Sequence, residues 1–265
     1  MKKAALAIAP VVLGLPLLFA ASGCEENKFE KMLEAGAPSA SVAAIPLASS
    51  LPPSPLPPPP KKKQWKCEKS TNVDFEGDTA LESEVRLKLQ KPKGDISVAE
   101  LANVKSINLT KYGPSTELNP CLFPKFTGLH DLFVGQGELD DLKPIAELTS
   151  LVSLRATENK VKDITPLKKL VHLDRLDLSK TQVMDISVIG AMTDLTELEL
   201  DGTPITDLAP LASLKKLEKV TIANTAVKDV SPLKNSKATL KLLDISGTPV
   251  TDYSMVAGPK LKVKM

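Results

Sequence analysis

The chain of 265 residues is poor in aromatic side chains and in histidine. Phe, Trp and Tyr together make up 3% of the residues, and only two histidines are present. Its core must therefore be built from Leu, Ile and Val, and no histidine cluster supports a metal site. No Gly-x-Ser-x-Gly turn, phosphate-binding glycine loop or pair of catalytic carboxylates occurs. The sequence predicts a protein that is not an enzyme and needs no cofactor.

The chain also lacks a strong excess of charge. Its formal net charge is +2. Lys2 and Lys3 lie in a segment that we expect to be removed, and 34 basic side chains minus these two leaves 32 against 32 acidic ones. Nucleic-acid binding requires a basic face that displaces counterions. A formally neutral mature chain therefore argues against a nucleic-acid partner.

Residues 1–24 have the pattern of an export signal. Two lysines precede an apolar run over residues 4–20, and small residues lead to Cys24. The Ala-Ser-Gly-Cys sequence at 21–24 resembles the lipobox of bacterial lipoproteins, although leucine is more usual where Ala21 stands. An ordinary cleaved signal and a transmembrane helix are the alternatives, but two prolines and a glycine interrupt the short apolar run.

The lipobox resemblance implies that residues 1–23 are a signal peptide and that Cys24 carries the lipid. More than one acyl chain on Cys24 would anchor the protein stably to a membrane. We therefore expect a place in a bacterial cell envelope. If the envelope has two membranes, Glu25 after the cysteine favours the outer one, by resemblance to known sorting signals.

Two further cysteines, Cys67 and Cys121, remain after Cys24. An exported protein enters an oxidising space, so we expect a disulfide between them. Two separate buried thiols are the alternative.

Residues 24–66 predict a disordered tether. They are rich in Ala, Ser and Pro, with a dense proline run at 52–60 and three lysines at 61–63. Proline fixes φ and removes a hydrogen-bond donor, which favours extended polyproline II. About 35 such residues, at roughly 3.1 Å each, span up to about 100 Å.

A unit of 22 or 23 residues recurs from Leu129 to the C-terminus. It reads L-x-x-L-x-L-x-x-T-x-V-x-D-I-x-P-L-x-x-L, and this period with these apolar offsets predicts a leucine-rich-repeat solenoid of the α/β class. The first leucines of the six units are Leu129, Leu151, Leu173, Leu195, Leu217 and Leu240. The alternating leucines predict short parallel strands on the concave face, with 3-10 turns or single helical turns on the convex face.

Two polar positions recur in the unit, and we assign both to architecture. An aspartate begins each convex turn, where its carboxylate can accept backbone N–H groups. Asn159 in the second unit, and Thr181, Thr203, Thr225 and Thr248 in the last four, follow the strand, where the side chain can bond to the backbone. The aspartates are Asp141, Asp163, Asp185, Asp207, Asp229 and Asp252. A ladder of cation-binding carboxylates is the alternative, but no second set of ligands converges on it.

The repeat resembles the internalin-type leucine-rich repeat of bacteria over about residues 129–257. That family binds other proteins through the concave sheet, so the resemblance implies a protein or peptide partner. This chain differs in its threonine ladder, its short array and the absence of a following immunoglobulin-like domain, so host-cell invasion is not implied.

Residues 67–128 predict an N-terminal cap, and residues 129–265 the repeat domain. Asp78 can cap a helix over 79–90, which offers the i,i+4 ion pairs Glu82–Arg86 and Glu84–Lys88. Ser97 to Glu100 forms a capping box, and residues 104–109 read as a first degenerate strand. Residues 260–264 resemble a last edge strand whose lysines discourage further pairing.

Concave side chains are the predicted binding surface. Concave side chains of successive units line up in rows across the strands. In these rows an acidic centre is flanked by basic residues, and Phe133 is the only aromatic residue. The candidate residues are Phe133, Arg155, Arg175, Asp177, Glu197, Glu199, Asp201 and Lys219. Charges that only keep the sheet soluble, in a passive or self-associating envelope scaffold, are the alternative. His130 and His172 are expected at the surface without a catalytic role.

Overall fold

The computed structural model describes residues 63–67 and 70–265. The predicted signal peptide at 1–23, the lipidation site Cys24 and the tether up to residue 62 lie outside the described residues. In the described part of the chain, no helix is long and apolar enough to cross a membrane.

Within residues 70–265, eight three-residue strands form one parallel sheet in the order of the sequence. The strands are β1 Ser106–Asn108, β2 Asp131–Phe133, β3 Ser153–Arg155, β4 Arg175–Asp177, β5 Glu197–Glu199, β6 Lys219–Thr221, β7 Leu242–Asp244 and β8 Lys262–Lys264. The middle residue of β1 to β7 is fully or almost fully buried. Pairing of each strand with the next therefore stacks one apolar layer on another, as the repeat predicted.

Short 3-10 helices cover the convex side. They span Phe123–Lys125, Lys143–Ile145, Thr165–Lys169, Ser187–Ala191, Ala209–Ser213 and Ser231–Ser236. The fifth unit spans residues 217–239 and is one residue longer than the four before it. Its extra residue lies here, since Ser231–Ser236 is one residue longer than the three helices before it. The predicted leucine-rich-repeat solenoid, with concave strands and convex 3-10 turns, is confirmed.

The recurring aspartates cap these turns, as predicted. Each carboxylate accepts the backbone N–H two residues later at 2.7 or 2.8 Å, as from Asp185 to Ser187 and from Asp207 to Ala209. The aspartates stand one position earlier than expected, because the formal N-cap of each 3-10 helix is the following Leu, Ile or Val.

The threonine ladder also bonds to the backbone. In four units the Thr hydroxyl donates to the carbonyl oxygen three residues earlier at 2.6 to 2.8 Å, as from Thr203 to Leu200. Asn159 does more, because its amide donates to the carbonyl of Gly135 at 3.0 Å and its oxygen accepts from the N–H of Leu139 at 3.1 Å. Threonine therefore closes its own turn, whereas Asn159 also joins two neighbouring units.

One left-handed residue recurs in the turn after the strand. Glu158, Lys180, Gly202, Asn224 and Gly247 all have positive φ, between 56° and 69°. Glycine adopts this conformation without steric cost and asparagine tolerates it. Gly202 and Gly247 therefore suit this turn, and Lys180 and Glu158 are joined by an ion pair of 2.8 Å.

Helix α1, Thr79–Leu89, lies against β1 at the N-terminal end of the solenoid. Asp78 caps it through the N–H of Leu81, and Glu82 pairs with Arg86 at 2.8 Å, as predicted. A shorter helix α2, Val98–Leu101, begins at the predicted capping box of Ser97. This end of the solenoid is thus closed by helical structure.

Glu84 on α1 has a role that the sequence did not reveal. Its pairing with Lys88, at 3.6 Å, was predicted, but the side chain is buried and its carboxylate also accepts from the N–H of Asn108 and the hydroxyl of Tyr112, both at 3.2 Å. Lys111 Nζ lies 2.9 Å away. Glu84 therefore occupies the outer edge of β1, where a further strand would otherwise accept the Asn108 N–H.

The electrostatic surroundings of Glu84 favour its charged form. Burial raises its pKa, but the hydrogen bonds from Lys111, Asn108 and Tyr112, together with the Lys111 charge, outweigh burial and hold the pKa below its ordinary value of 4.5. The ionised carboxylate is therefore the form that closes the sheet edge.

A disulfide joins Cys67 to Cys121 across 54 residues, with the two Cα atoms 5.0 Å apart. This is the pairing predicted from the sequence. Nearby, Lys63 donates to the carbonyl oxygen of Glu76, and its Nζ lies 3.9 Å from the Trp65 ring centroid. The segment that enters the cap is therefore fixed to it both covalently and by polar contacts.

Strand β8 ends the sheet, where an edge strand was predicted. It pairs in parallel with β7, and Lys264 Nζ lies 3.4 Å from the Asp244 carboxylate. Val256 is fully buried, and Leu261 and Val263 pack against the core. The last apolar layer is thus covered by this strand and the residues before it.

We predict that Glu84→Ala destabilises the fold by about 2 kcal/mol, because it leaves the part-buried N–H of Asn108 and hydroxyl of Tyr112 without their acceptor. Glu82→Ala is the matched control on the same helix. It should cost less than about 1 kcal/mol, since Glu82 forms a part-exposed pair. Denaturant unfolding measures both, and equal losses would contradict the role of Glu84.

The same site predicts a pH dependence. A lowered carboxylate pKa stabilises the fold above the unfolded pKa, and that stability is lost as the pH falls through the lower folded pKa. Unfolding free energies measured downward from pH 5 should therefore fall less steeply in Glu84→Gln than in the wild type.

Candidate functional site on the concave sheet

The first and third residues of each strand form two rows on the concave face. In the first row Arg175 is paired in register with Glu197, and Glu197 with Lys219. In the second row Arg155 is paired with Asp177, and Asp177 with Glu199. The repeat thus places charges from successive units side by side, in the register that the sequence predicts.

A shallow depression of about 400 Å³ lies on this face over β2 to β5. Six of the eight predicted binding residues line it, and the floor includes parts of Leu154, Leu176 and Ser153. The six are Phe133, Arg155, Arg175, Asp177, Glu197 and Glu199. The other two do not line it, because Lys219 pairs with Glu199 at its edge and Asp201 bonds to Thr221 and Ala223. The structure therefore brings most of the predicted residues into one concavity.

Arg155 is engaged by two neighbours in the depression. Its Nε donates to the Asp177 carboxylate at 3.0 Å, and its guanidinium carbon lies 5.9 Å from the Phe133 ring centroid. Arg155 remains half-exposed, with 51% of its side-chain surface accessible. The cation is therefore held by these contacts while about half of its side-chain surface stays accessible.

Lys219 is the corresponding cation on the C-terminal side. Its Nζ donates to the Glu199 carboxylate at 2.6 Å. That hydrogen bond raises the lysine pKa; burial opposes the rise, and the charges of Glu199, Glu197 and Asp177 reinforce it. Lys219 thus neutralises one carboxylate of the acidic centre.

Asp201 is held by the protein itself. One carboxylate oxygen accepts the Thr221 hydroxyl at 2.9 Å and the other accepts the N–H of Ala223 at 2.7 Å. Both bonds cross to the next unit. This aspartate stays a predicted binding residue, but its contacts tie neighbouring units together.

Asp177 has a raised pKa. Burial is the largest cause and the negative charge of Glu199 adds to it, whereas the hydrogen bond from the Ser179 N–H and the charge of Arg155 oppose it. A carboxylate whose charged form is disfavoured gains from any cation that approaches it. The acidic centre is therefore receptive to positive charge.

Arg175 and Glu197 differ from the other charged residues of the depression. Among the described residues, neither side chain makes a hydrogen bond or an ion pair, although their strands are adjacent and in register. The sequence grouped them with Arg155 and Glu199 and gave no signal of this difference. It depends on side-chain conformations, which a repeat pattern does not encode.

The two histidines lie at the surface, as expected. His130 is exposed, and His172 Nδ1 lies 3.1 Å from the Asp194 carboxylate, which also contacts Lys216 at 2.7 Å. Within residues 63–67 and 70–265, no group of His, Cys, Asp or Glu is arranged to hold a metal ion. Neither histidine lines the depression over β2 to β5, which contains six of the eight predicted binding residues.

Comparisons with known proteins identify the fold. No family model matches the chain, and no curated protein matches it. Internalin C2 of Listeria monocytogenes is similar, with 24% identity and a TM-score of 0.62 over 69% of this chain and 91% of that one. A structure of internalin F from Listeria monocytogenes shows 24% identity and a TM-score of 0.63 over 70% of this chain and 55% of that chain.

A more distant similarity is to the leucine-rich-repeat ectodomain of the Arabidopsis thaliana receptor kinase GASSHO1/SCHENGEN3. It shows 18% identity and a TM-score of 0.52 over 60% of this chain and 23% of that chain, so the chain spans only a small part of the receptor. These similarities agree with the strand and turn architecture and show a leucine-rich-repeat fold.

We predict that Glu199→Gln lowers the pKa of Asp177. The substitution removes a like charge and frees Lys219, and both effects favour the ionised Asp177. Carboxyl-carbon NMR titration measures the change. Glu218→Gln, which removes an acid paired with Lys241 away from the depression, is the control and should leave the Asp177 pKa unchanged.

Proposed function

We propose that this chain is a membrane-tethered interaction module that binds a protein or peptide through its concave face. The depression over β2 to β5 carries the proposal, because it combines an aromatic side chain with cations and carboxylates on a rigid sheet. Sheet backbone and in-register strands fix these groups, so little conformational entropy is lost on binding.

Phe133 and Arg155 are the proposed anchors. Aromatic residues and arginine dominate the energetics of protein interfaces when a partner removes them from water. Phe133 is half-buried with its ring beneath the Arg155 guanidinium, so a partner can cover both at once. The acidic residues on β4 and β5 then fix the partner's orientation by charge.

The fold comparison supports a polypeptide ligand. The similar plant receptor ectodomain was solved in complex with Casparian strip integrity factor 2. The internalin-type repeat resemblance points to the same mode of binding. At 18% identity, the similarity to this receptor does not indicate which particular partner binds this chain.

The tether completes the proposal. Residues 1–23 would be removed, Cys24 would carry the lipid, and residues 24–66 would hold the cap (67–128) and the repeats (129–265) away from the membrane. The lipobox-like residues and the proline-rich composition support this arrangement in a bacterial envelope, at the outer membrane where two membranes are present.

We predict that reversing Arg155 and Glu199 together abolishes capture of the partner. The Arg155→Glu and Glu199→Lys pair keeps the net charge but inverts the field of the depression and removes both internal ion pairs. Chemical crosslinking of the full lipidated chain in its own envelope, followed by mass spectrometry, measures capture.

The control for this experiment reverses an ion pair on the convex side. Glu147→Lys with Lys169→Glu inverts a pair of 2.6 Å next to the 3-10 helices. This variant should capture the partner as the wild type does. Partner capture unchanged in the concave variant would contradict the proposal, and crosslinks only between copies of the chain would favour a self-associating scaffold.

The anchor has its own test. We predict that Cys24→Ala moves the protein from the membrane fraction to the soluble fraction, because the lipid would no longer be attached. Cys67→Ala with Cys121→Ala is the matched control, which removes two cysteines and should leave the protein with the membrane. Membrane association that survives Cys24→Ala would refute lipid anchoring at this residue.

A further inference from the structure

Two charged side chains of the depression are left over after the protein's own ion pairs have formed. Arg155 forms an ion pair with Asp177, and Lys219 forms one with Glu199. Within residues 63–67 and 70–265, Arg175 and Glu197 form no hydrogen bond or ion pair of this kind, although the charge of Glu197 acts on Lys219. A cation and an anion are thus open to a ligand on the same surface.

Arg175 and Glu197 lie side by side. They are register partners on β4 and β5, so their backbones are about 4.8 Å apart, the spacing of adjacent strands. Arg175 is exposed, Glu197 is half-exposed, and both line the depression that Phe133 borders on β2. Along the solenoid the ligand therefore meets an aromatic ring, then a guanidinium, then a carboxylate.

We propose that the depression recognises an extended peptide segment that carries an acidic and a basic side chain two residues apart. The acidic side chain binds Arg175 and the basic side chain binds Glu197, with an apolar residue on the acidic side packed against Phe133. This inference rests on the proposed function and specifies the chemistry of its partner.

The spacing of an extended segment fits these two groups. Side chains two residues apart in an extended peptide point to the same face and are roughly 6.8 Å apart. The long side chains of Arg175 and Glu197 can close the small difference from the strand spacing. Guanidinium also offers a planar fork that suits a carboxylate, which a lysine at this position would not provide.

Ligands with charge of a single sign fit less well. A wholly acidic segment would bring its second carboxylate against Glu197, close to Asp177 and Glu199. A wholly basic segment would bring its first cation against Arg175 and Arg155. Like charges placed together at an interface disfavour binding, so the arrangement selects a dipolar segment with a fixed order of charges.

The test is a selection of random twelve-residue peptides on the full chain in detergent, compared with Arg175→Glu/Glu197→Arg. This double variant keeps the net charge and leaves the other ion pairs in place, and its thermal midpoint verifies folding. The wild type should enrich acid–base pairs at two-residue spacing. The variant should enrich the same spacing with the order of charges reversed relative to the apolar residue.

Affinities of the selected peptides complete the test. The best wild-type peptide should bind Arg175→Glu at least about tenfold more weakly, and Arg175→Lys less weakly than Arg175→Glu. The inference would be overturned if the selected peptides carry charge of one sign only, if both proteins select the same peptides, or if no peptide is enriched. Dimerisation of the chain that the double variant abolishes would make a second copy the occupant and would also overturn it.

The outcome separates this inference from the proposed function. If the envelope partner is still captured by Arg175→Glu/Glu197→Arg but lost in Arg155→Glu/Glu199→Lys, concave binding stands and recognition of a dipolar segment fails. If both variants capture the partner as the wild type does, the proposed function itself fails.

Discussion

The structure depends on one constraint, which is that no repeat can bury its own leucines. Each unit provides a three-residue strand and one 3-10 turn, and its apolar side chains are covered only by the units before and after it. Stacking solves this for the interior and leaves an exposed layer and an unpaired sheet edge at each end. Helix α1 with Glu84 closes one end, and strand β8 with its lysines closes the other.

This constraint also determines which residues are available for binding. Leucine fills the layers, aspartate caps the convex turns, and threonine closes the turn after four of the strands. The two concave rows and the residues just after the strands remain, and internal bonds occupy part of them, since Arg155, Lys219 and Asp201 all contact neighbouring units. The side chains left free for the proposed partner therefore cover a smaller area than the whole concave face, and the sheet holds their backbone rigidly.

Sequence periodicity predicted the strands, their register and the capping aspartates, because each follows from spacing or residue type within a repeating unit. The disulfide followed from a different argument, namely two remaining cysteines in a chain with an export signal. It did not predict the burial of Glu84, because the cap is not a repeat and an i,i+4 pattern does not show which helix face packs against β1. Nor did it separate Arg175 and Glu197 from Arg155 and Glu199. All four lie on the concave face, Arg175 and Glu197 as the first residues of their strands and Arg155 and Glu199 as the third, and side-chain conformation decides which of them pair.

The disulfide between Cys67 and Cys121 has a mechanical consequence. A pull on the chain upstream of residue 67 passes through the sulfur atoms directly to residue 121, beside the 3-10 helix that precedes β2. The covalent loop contains residues 68–120, with α1, α2 and β1. Because the disulfide bypasses this loop, the pull does not stretch it. The layer that closes the solenoid is therefore shielded from extension, and the pull acts on residue 121 and the chain beyond it.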